Sequence, residues 1–285
     1  MAQSREERKA AAAKHLSLMR GVFAAETKAS IEAAEIIEDG KAAKLALPEP
    51  RAEKTTTEVT GRFPAAALLQ VREGKTLIVD PASFTRPGGS YEEGGFGPEQ
   101  ALCADSNLYP ILQGLKSSYH DKNRGYARGL LFTDRAAYVP EVTFNSDGVI
   151  RKADVLAVAE PVLQKALENH RSEAECDKAL ASRIDSLLTI AAAKECDTLI
   201  VGAFGCGRQG YSKERVIALF EEWIESHEGL IPRIVFAVPR DCVDTFDEAF
   251  GQPKVEVPVV VETDEEGEEE DLFDPSDLPE GVTFR

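Results

Sequence analysis

The sequence predicts an α/β fold in which a buried central sheet is covered by helices on both faces. Short, largely apolar runs bounded by turn residues, at Thr76–Val79, Ala153–Ala159, Cys196–Val201 and Arg233–Val238, read as strands buried on both sides. Helical spacing alternates with them over Glu99–Leu115, Pro161–Asn169, Cys176–Lys194, from about Ser212 onward, and over Asp241–Phe250. Two of the runs also lead straight into glycine-rich loops that precede a helix. Strand and helix in alternation place helices on both sides of one sheet.

The remaining elements follow in chain order. Residues 1–46 are rich in Ala, Glu and Lys, and Leu18, Val22, Phe23, Ile31, Ile36 and Ile37 recur at partial helical spacing, predicting two helices broken near Gly21 or Thr27. Leu47-Pro-Glu-Pro-Arg51 ends that signal, because a proline disfavours helix at the residue before it. Thr55–Thr60 reads as a β-branched strand, and Pro64–Glu73 as a short helix leading into Thr76–Val79. Ser117–Gly129 reads as a solvated, mobile connector. Leu130–Thr133 and Ala137–Phe144 read as strands, the second ending in a turn at Asn145-Ser-Asp-Gly148. In Glu262–Asp271 eight of ten residues are acidic, so self-repulsion predicts a disordered, solubilising tail, with docking to a basic partner as the alternative. The expected organisation is an N-terminal helical segment (1–46) packed on a main domain (47–252), followed by an acidic tail (253–285).

A net charge of −17 argues against broad attraction to nucleic acid or anionic lipid, which needs a basic face. One nucleotide-sized anion is still compatible, since backbone amides with Arg86, Arg124, Arg128 or Arg208 nearby suffice locally. No run approaches the roughly 18 apolar residues of a membrane helix. The first residues carry charge with no apolar stretch behind it, so no secretory signal is expected. Five cysteines, at 103, 176, 196, 206 and 242, form no Cys-Xaa-Xaa-Cys pair, which fits a reducing cytoplasm. Four scattered histidines give no zinc-ligand spacing, and no metal or cofactor is implied.

The chemistry is concentrated in the two loops. Asp80–Cys103 carries Gly88, Gly89, Ser90 and Tyr91, then the acids Glu92, Glu93 and Glu99. Glycines permit close approach of backbone to a ligand, and amides beside a helix start suit an anion. The second loop, Gly202-Ala203-Phe204-Gly205-Cys206-Gly207, again leaves a strand and precedes a helix. Phe204 is read as core and Cys206 as a small spacer, since no neighbouring base would make it a thiolate. Such a pair resembles two phosphate-binding loops meeting at the carboxyl end of one sheet.

With those residues in view, the sequence resembles the microbial-type poly(ADP-ribose) glycohydrolase family, a branch of the macrodomain fold. The first loop is similar to the family's Asn-Pro-Gly-Gly-Gly, short spacer and Gln-Glu-Glu, and the Leu-Cys and Ser-Xaa-Leu-Tyr that follow are matched by Leu102-Cys103 and Ser106-Asn-Leu-Tyr109. Gly202–Gly207 resembles the family's Gly-Ala-Trp-Gly-Cys-Gly. The resemblance implies a macrodomain-like three-layer α/β/α fold with a mixed sheet, and ADP-ribose or an ADP-ribosylated substrate as ligand. It implies contacts from Gly88, Gly89, Ser90 and Tyr91, and from Gly202, Ala203, Phe204, Gly205, Cys206 and Gly207. Tyr91 and Phe96 would flank the sugar or cap the loop, Tyr211 would offer a displaced ring, and Tyr119, His120, Arg124 and Tyr126 would lie within reach of base or ribose.

The departures bear on the reaction. Pro98-Glu99-Gln100 stands where the family has Gln-Glu-Glu, so an amide occupies the position of the catalytic glutamate. Glutamine cannot give up a proton as a carboxylic acid can. Arg86 replaces the asparagine, Ser90 the third glycine, and Arg208-Gln209 follow Gly207 where the family places an aromatic. In the family the first glutamate helps hold a ribose and the second handles the proton. Three outcomes are open: Glu99 takes the acid-base role beside Gln100, Glu92 or Glu93 reaches in, or the domain binds without cleaving. The expected function is hydrolysis of a glycosidic ADP-ribose linkage. The alternatives are a non-catalytic reader of ADP-ribose or a related nucleotide, and a docking protein acting through its acidic tail.

Overall fold

The computed structural model describes residues 3–146 and 148–251. The acidic stretch at 262–271 lies outside the described residues. Helix α1 (Arg5–Val22) opens with a capping box in which Ser4 Oγ accepts the Glu7 N–H and the Glu7 carboxylate accepts the Ser4 N–H. Helix α2 (Ala24–Ala33) follows, and the interruption falls on Phe23, whose N–H bonds back to Met19. The chain continues through β1 (Glu35–Ile37), β2 (Thr56–Thr60), α3 (Pro64–Leu68), β3 (Thr76–Pro81), α4 (Pro98–Ala104), α5 (Leu108–Gly114), α6 (Asp121–Asn123), β4 (Ala136–Ser146) and β5 (Val149–Val158). It ends with α7 (Leu163–Glu168), α8 (Glu173–Ala193), β6 (Thr198–Val201), α9 (Lys213–Ser226), β7 (Arg233–Ala237) and α10 (Arg240–Phe250).

The seven strands among the described residues lie in the order β1-β4-β5-β3-β6-β7-β2. β1 and β4 pair antiparallel, as do β4 and β5, and the other neighbours are parallel. Successive side chains of a strand point to opposite faces, so a strand buried on both sides feeds two cores. Leu77 and Val79 enter one of them, with Leu180, Leu187, Phe220 and Phe246 from α8, α9 and α10. Ile78, between them in sequence, joins Leu16, Leu68, Leu102 and Ile111 from α1, α3, α4 and α5 in the other. The result is three layers of mixed α/β architecture.

Four expectations are corrected. Ile36 and Ile37, counted with the helical spacing of residues 1–46, instead lie in β1 and pair with Ala137 and Ala136 of β4. The helical signal over 99–115 is divided between α4 and α5, because Ser106 Oγ donates to the Leu102 carbonyl and accepts the Leu108 N–H, while Asn107 Oδ1 accepts the Thr143 N–H of β4. Residues 130–133 form no strand; Arg128, Leu130 and Phe132 adopt positive φ in a tight turn whose Leu131 carbonyl is bonded by Arg183 of α8. Residues 117–129 are not simply a solvated connector, since Lys116–His120 forms a π-helical turn and Tyr119, His120 and Asn123 are buried. Buried Arg135 donates to the Tyr119 and Ser118 carbonyls, and Asn123 donates to the Phe84 carbonyl at 2.7 Å. Arg135 and Asn123 thus satisfy main-chain carbonyls inside the fold.

Candidate functional site

β5, β3 and β6 are adjacent and parallel, so the segments that follow them emerge at one edge of the sheet. These are Ala159–Val162 after β5, the first glycine loop after β3, and the second after β6. Such an edge is where open α/β sheets bind ligands. A cavity of about 410 Å³ lies there, with Ser83, Phe84, Phe132, Glu160, Val162 and Gln209 among its walls. A second cavity of about 340 Å³, lined by Arg20, Thr27, Ile31 and Pro110 among others, shares no lining residue with it.

The first loop is tightly folded on itself. Gly88 and Gly89 have φ of +63° and +55°, and a Cβ on Gly88 would strike the Tyr109 ring. One on Gly89 would sit 2.6 Å from Ser83 Oγ and 2.7 Å from Gln100 Nε2. The glycines are therefore required by the protein packed behind them, as well as by any ligand in front. Ser90 accepts the Gly95 N–H through its carbonyl at 2.8 Å, closing the turn. Tyr91 points inward with its ring centroid 5.1 Å from that of Tyr109, and Phe96 lies exposed against Phe63, so neither ring lines the cavity. Helix α1 clasps the outside of the loop, with Arg5 Nε donating to the Glu93 carbonyl and Arg8 Nε to that of Gly94, both at 2.9 Å.

The second loop has Gly205 at φ +86° and Gly207 at φ +62°. Gly202 and Ala203 are half-buried and Phe204 is in the core, whereas Gly207 stands open, with no atom within 4 Å of where a Cβ would project. Cys206 is buried and its thiol is pushed up to about 12, by burial first and by Cys242 and Glu160 next, so it is held neutral. Tyr211 turns into the core, where its hydroxyl donates to the Cys176 carbonyl, and does not replace the aromatic missing at Gln209. Ser212 caps α9 by accepting the Arg215 N–H. Of the arginines, Arg86 is paired with Glu93, Arg124 with Asp121 and Arg128 with Asp39, and Arg208 is exposed in the loop.

Three acids gather at the strand ends. Asp80, wholly buried at the end of β3, has neither side-chain oxygen hydrogen-bonded among the described residues; burial, then Glu99 and Glu160, hold its pKa well above the usual range. Glu99 in the first turn of α4 is 3% exposed, accepts from Ser83 Oγ at 2.5 Å and is pushed up to about 7 by burial, against the opposing hydrogen bonds of Ser83, Gly88 and Gln100. Gln100 directs Nε2 to the Gly88 carbonyl (3.1 Å) and Glu99 Oε2 (3.3 Å), so its amide braces the turn. Glu160, just past β5, accepts the Gly205 N–H at 2.8 Å and is pushed up to about 7 by burial, opposed by Gly205 and Gln209. Glu93 is tied to Arg86, and Glu92 is exposed. Among the described residues no group of three His, Cys, Asp or Glu side chains is placed to hold a metal.

Residues 7–147 match the family model described as the microbial-type PARG catalytic domain. The match takes in the first loop and both of its glutamate-motif positions, Glu99 and Gln100, and ends before the second loop. No curated protein matches the chain. Among solved structures, the poly(ADP-ribose) glycohydrolase (PARG) of Thermomonospora curvata superposes with a TM-score of 0.71 at 22% identity, over 81% of this chain and 93% of that one. PARG from Deinococcus radiodurans in complex with ADP-ribose gives a TM-score of 0.71 at 23% identity, over 78% and 96%. T. curvata PARG bound to the inhibitor ADP-HPD gives 0.69 at 22%, over 82% and 93%. These likenesses establish the PARG-type fold for the described body.

Sequence reasoning missed Glu160 and gave Asp80 no role. A signal was present: each is an acid at or just past the end of an otherwise apolar run, and β3 and β5 pair in parallel with Pro81 opposite Val158. Acids at the ends of neighbouring parallel strands meet at the sheet edge, but strand adjacency has to be known before that is visible.

Proposed function

We propose that this protein binds ADP-ribose at the edge formed by β5, β3 and β6 and hydrolyses a glycosidic ADP-ribose linkage in the manner of PARG. One observation carries the reading: a cavity at this edge is walled by Ser83, Phe84 and Thr85 after β3, by Gln209 after β6 and by Glu160, and both Glu160 and the Glu99 that accepts from Ser83 have their pKa raised to about 7. Raised carboxyls in a cleft mark candidate acids, and glycosidic cleavage calls for a proton on the departing oxygen and stabilisation of an oxocarbenium-like carbon. Residues 47–252 would form the ADP-ribose-binding domain, with 1–46 bracing it. Gly88, Gly89 and Ser90 with Gly202–Gly207 would contact the nucleotide, and Glu99, through its bond to Ser83 Oγ, would set the first loop beneath the distal ribose. Five free, buried cysteines support a cytoplasmic setting, and no helix among the described residues is long and apolar enough to cross a membrane. The acidic stretch at 262–271 would keep the protein dispersed, its charge also fitting a basic partner.

The test is a thermal melt with ADP-ribose, followed by incubation with ADP-ribosylated protein. A ligand that binds only the native state raises its stability, so the melting temperature should rise and free ADP-ribose should appear, with the release weakened in Glu99→Gln. Stabilisation without release would make the protein a reader, the outcome that Gln100 favours. Absence of both would reject the ligand.

A further inference from the structure

The three acids at the strand ends differ in what they face. Asp80 is sealed in the core, and Glu99 is nearly so, with one oxygen occupied by Ser83 and Gln100. Glu160 is the one that lines the 410 Å³ cavity, together with Phe132 of the positive-φ turn and Gln209 of the second loop. Gln100, at the position where the family's acid stands, has spent its amide inside the first loop.

We propose that Glu160 is the general acid and base of this site, supplying from the end of β5 the proton that Gln100 cannot supply from α4. The inference rests on the hydrolase reading of the same cavity. The Glu160 carboxyl gives its proton to the glycosidic oxygen as the bond from that oxygen to the anomeric carbon of the distal ribose breaks. The leaving group departs as an alcohol with the bonding pair. Water adds to the oxocarbenium carbon, and its proton returns to the Glu160 carboxylate, so one water is consumed and the acid is restored.

The surroundings suit that cycle. The Gly205 N–H fixes the carboxyl against the second loop at 2.8 Å, so the group is oriented before any ligand enters. Asp80 faces it from β3 and Cys206 from the second loop; burial holds both toward their neutral forms. Arg128, on the positive-φ turn, is committed to Asp39 at 2.8 Å and offers Glu160 no counter-charge. Acid-base groups work best when they titrate near the working pH.

Glu160→Gln separates catalysis from mere support, because a glutamine oxygen can still accept the Gly205 N–H while the side chain cannot donate an acidic proton. The expected result is a fall in kcat of about 10²–10⁴-fold, ADP-ribose affinity within about threefold of wild type, and loss of the pH-rate limb near neutrality. A variant with wild-type kcat and an unchanged pH profile overturns the assignment. Should Glu160→Gln fail to fold, Glu160→Asp decides: the pH-rate limb should move to lower pH, and any other outcome counts against the proposal. Wild-type protein that binds ADP-ribose yet releases none overturns the hydrolase reading itself. Turnover that survives in Glu160→Gln overturns only the role of Glu160.

Discussion

The two glycine loops leave neighbouring strands and look alike in sequence, yet they need glycine for different reasons. In the first, Gly88 and Gly89 are pressed against Tyr109, Ser83 and Gln100, so the missing side chains make room for the protein itself. In the second, Gly207 has open space around it and needs glycine only for its left-handed backbone, while Gly205 abuts Leu180. The carboxyls follow the same division: Glu99 is sealed behind the first loop, and Glu160 opens from behind the second onto the cavity. A glycine motif therefore reports a tight turn, and only its surroundings say whether the tightness serves packing or access.

The largest expected effect is at Gly88. Gly88→Ala combines a left-handed residue with a clash against a buried ring, and should cost about 3 kcal/mol or more in urea unfolding. A loss below about 1 kcal/mol would mean that Tyr109 yields easily and that the first loop is no more constrained than the second.

Next comes Glu99. Its pKa rises from 4.5 to about 7 on folding. A carboxyl raised in the fold contributes stability that is full below the unfolded value and lost as pH climbs through the folded one. Wild-type stability should therefore fall between about pH 4.5 and 7, by an amount on the order of 2–3 kcal/mol from this group. Unfolding measured across that window should show a flatter profile in Glu99→Gln, whereas an equally steep profile would assign the dependence to Asp80 or Glu160. The smallest effect is expected at Gly207. Gly207→Ala meets no neighbour and carries only the left-handed penalty, about 1 kcal/mol in the same unfolding assay.

Much of this was legible in the chain. The alternation of Leu77, Ile78 and Val79 between two cores is the period-two consequence of a strand buried on both sides, and the run is apolar for that reason. Ser212 before α9 and Ser172 before α8 are caps that local chemistry explains. The π-helical turn at Lys116–His120 was illegible, because its Ser118 and Tyr119 carbonyls are bonded by Arg135, a partner supplied from just before β4. Tyr91 and Tyr211 misled for a related reason: a tyrosine beside glycines looks like a ligand-facing ring, and packing turned both inward.

By itself the sequence determined where the buried strands, the glycine turns and the long helices fall, since those depend on side-chain periodicity and on the conformational freedom of residues close together in the chain. The tertiary structure alone decided which acid meets which loop. Glu160 and the Gly205 amide are 45 residues apart, and they touch because β5 and β6 both run parallel to β3 and end at the same edge of the sheet. Hydrogen bonding and desolvation act through space, so the protonation of a carboxyl is a property of the neighbours that folding brings to it.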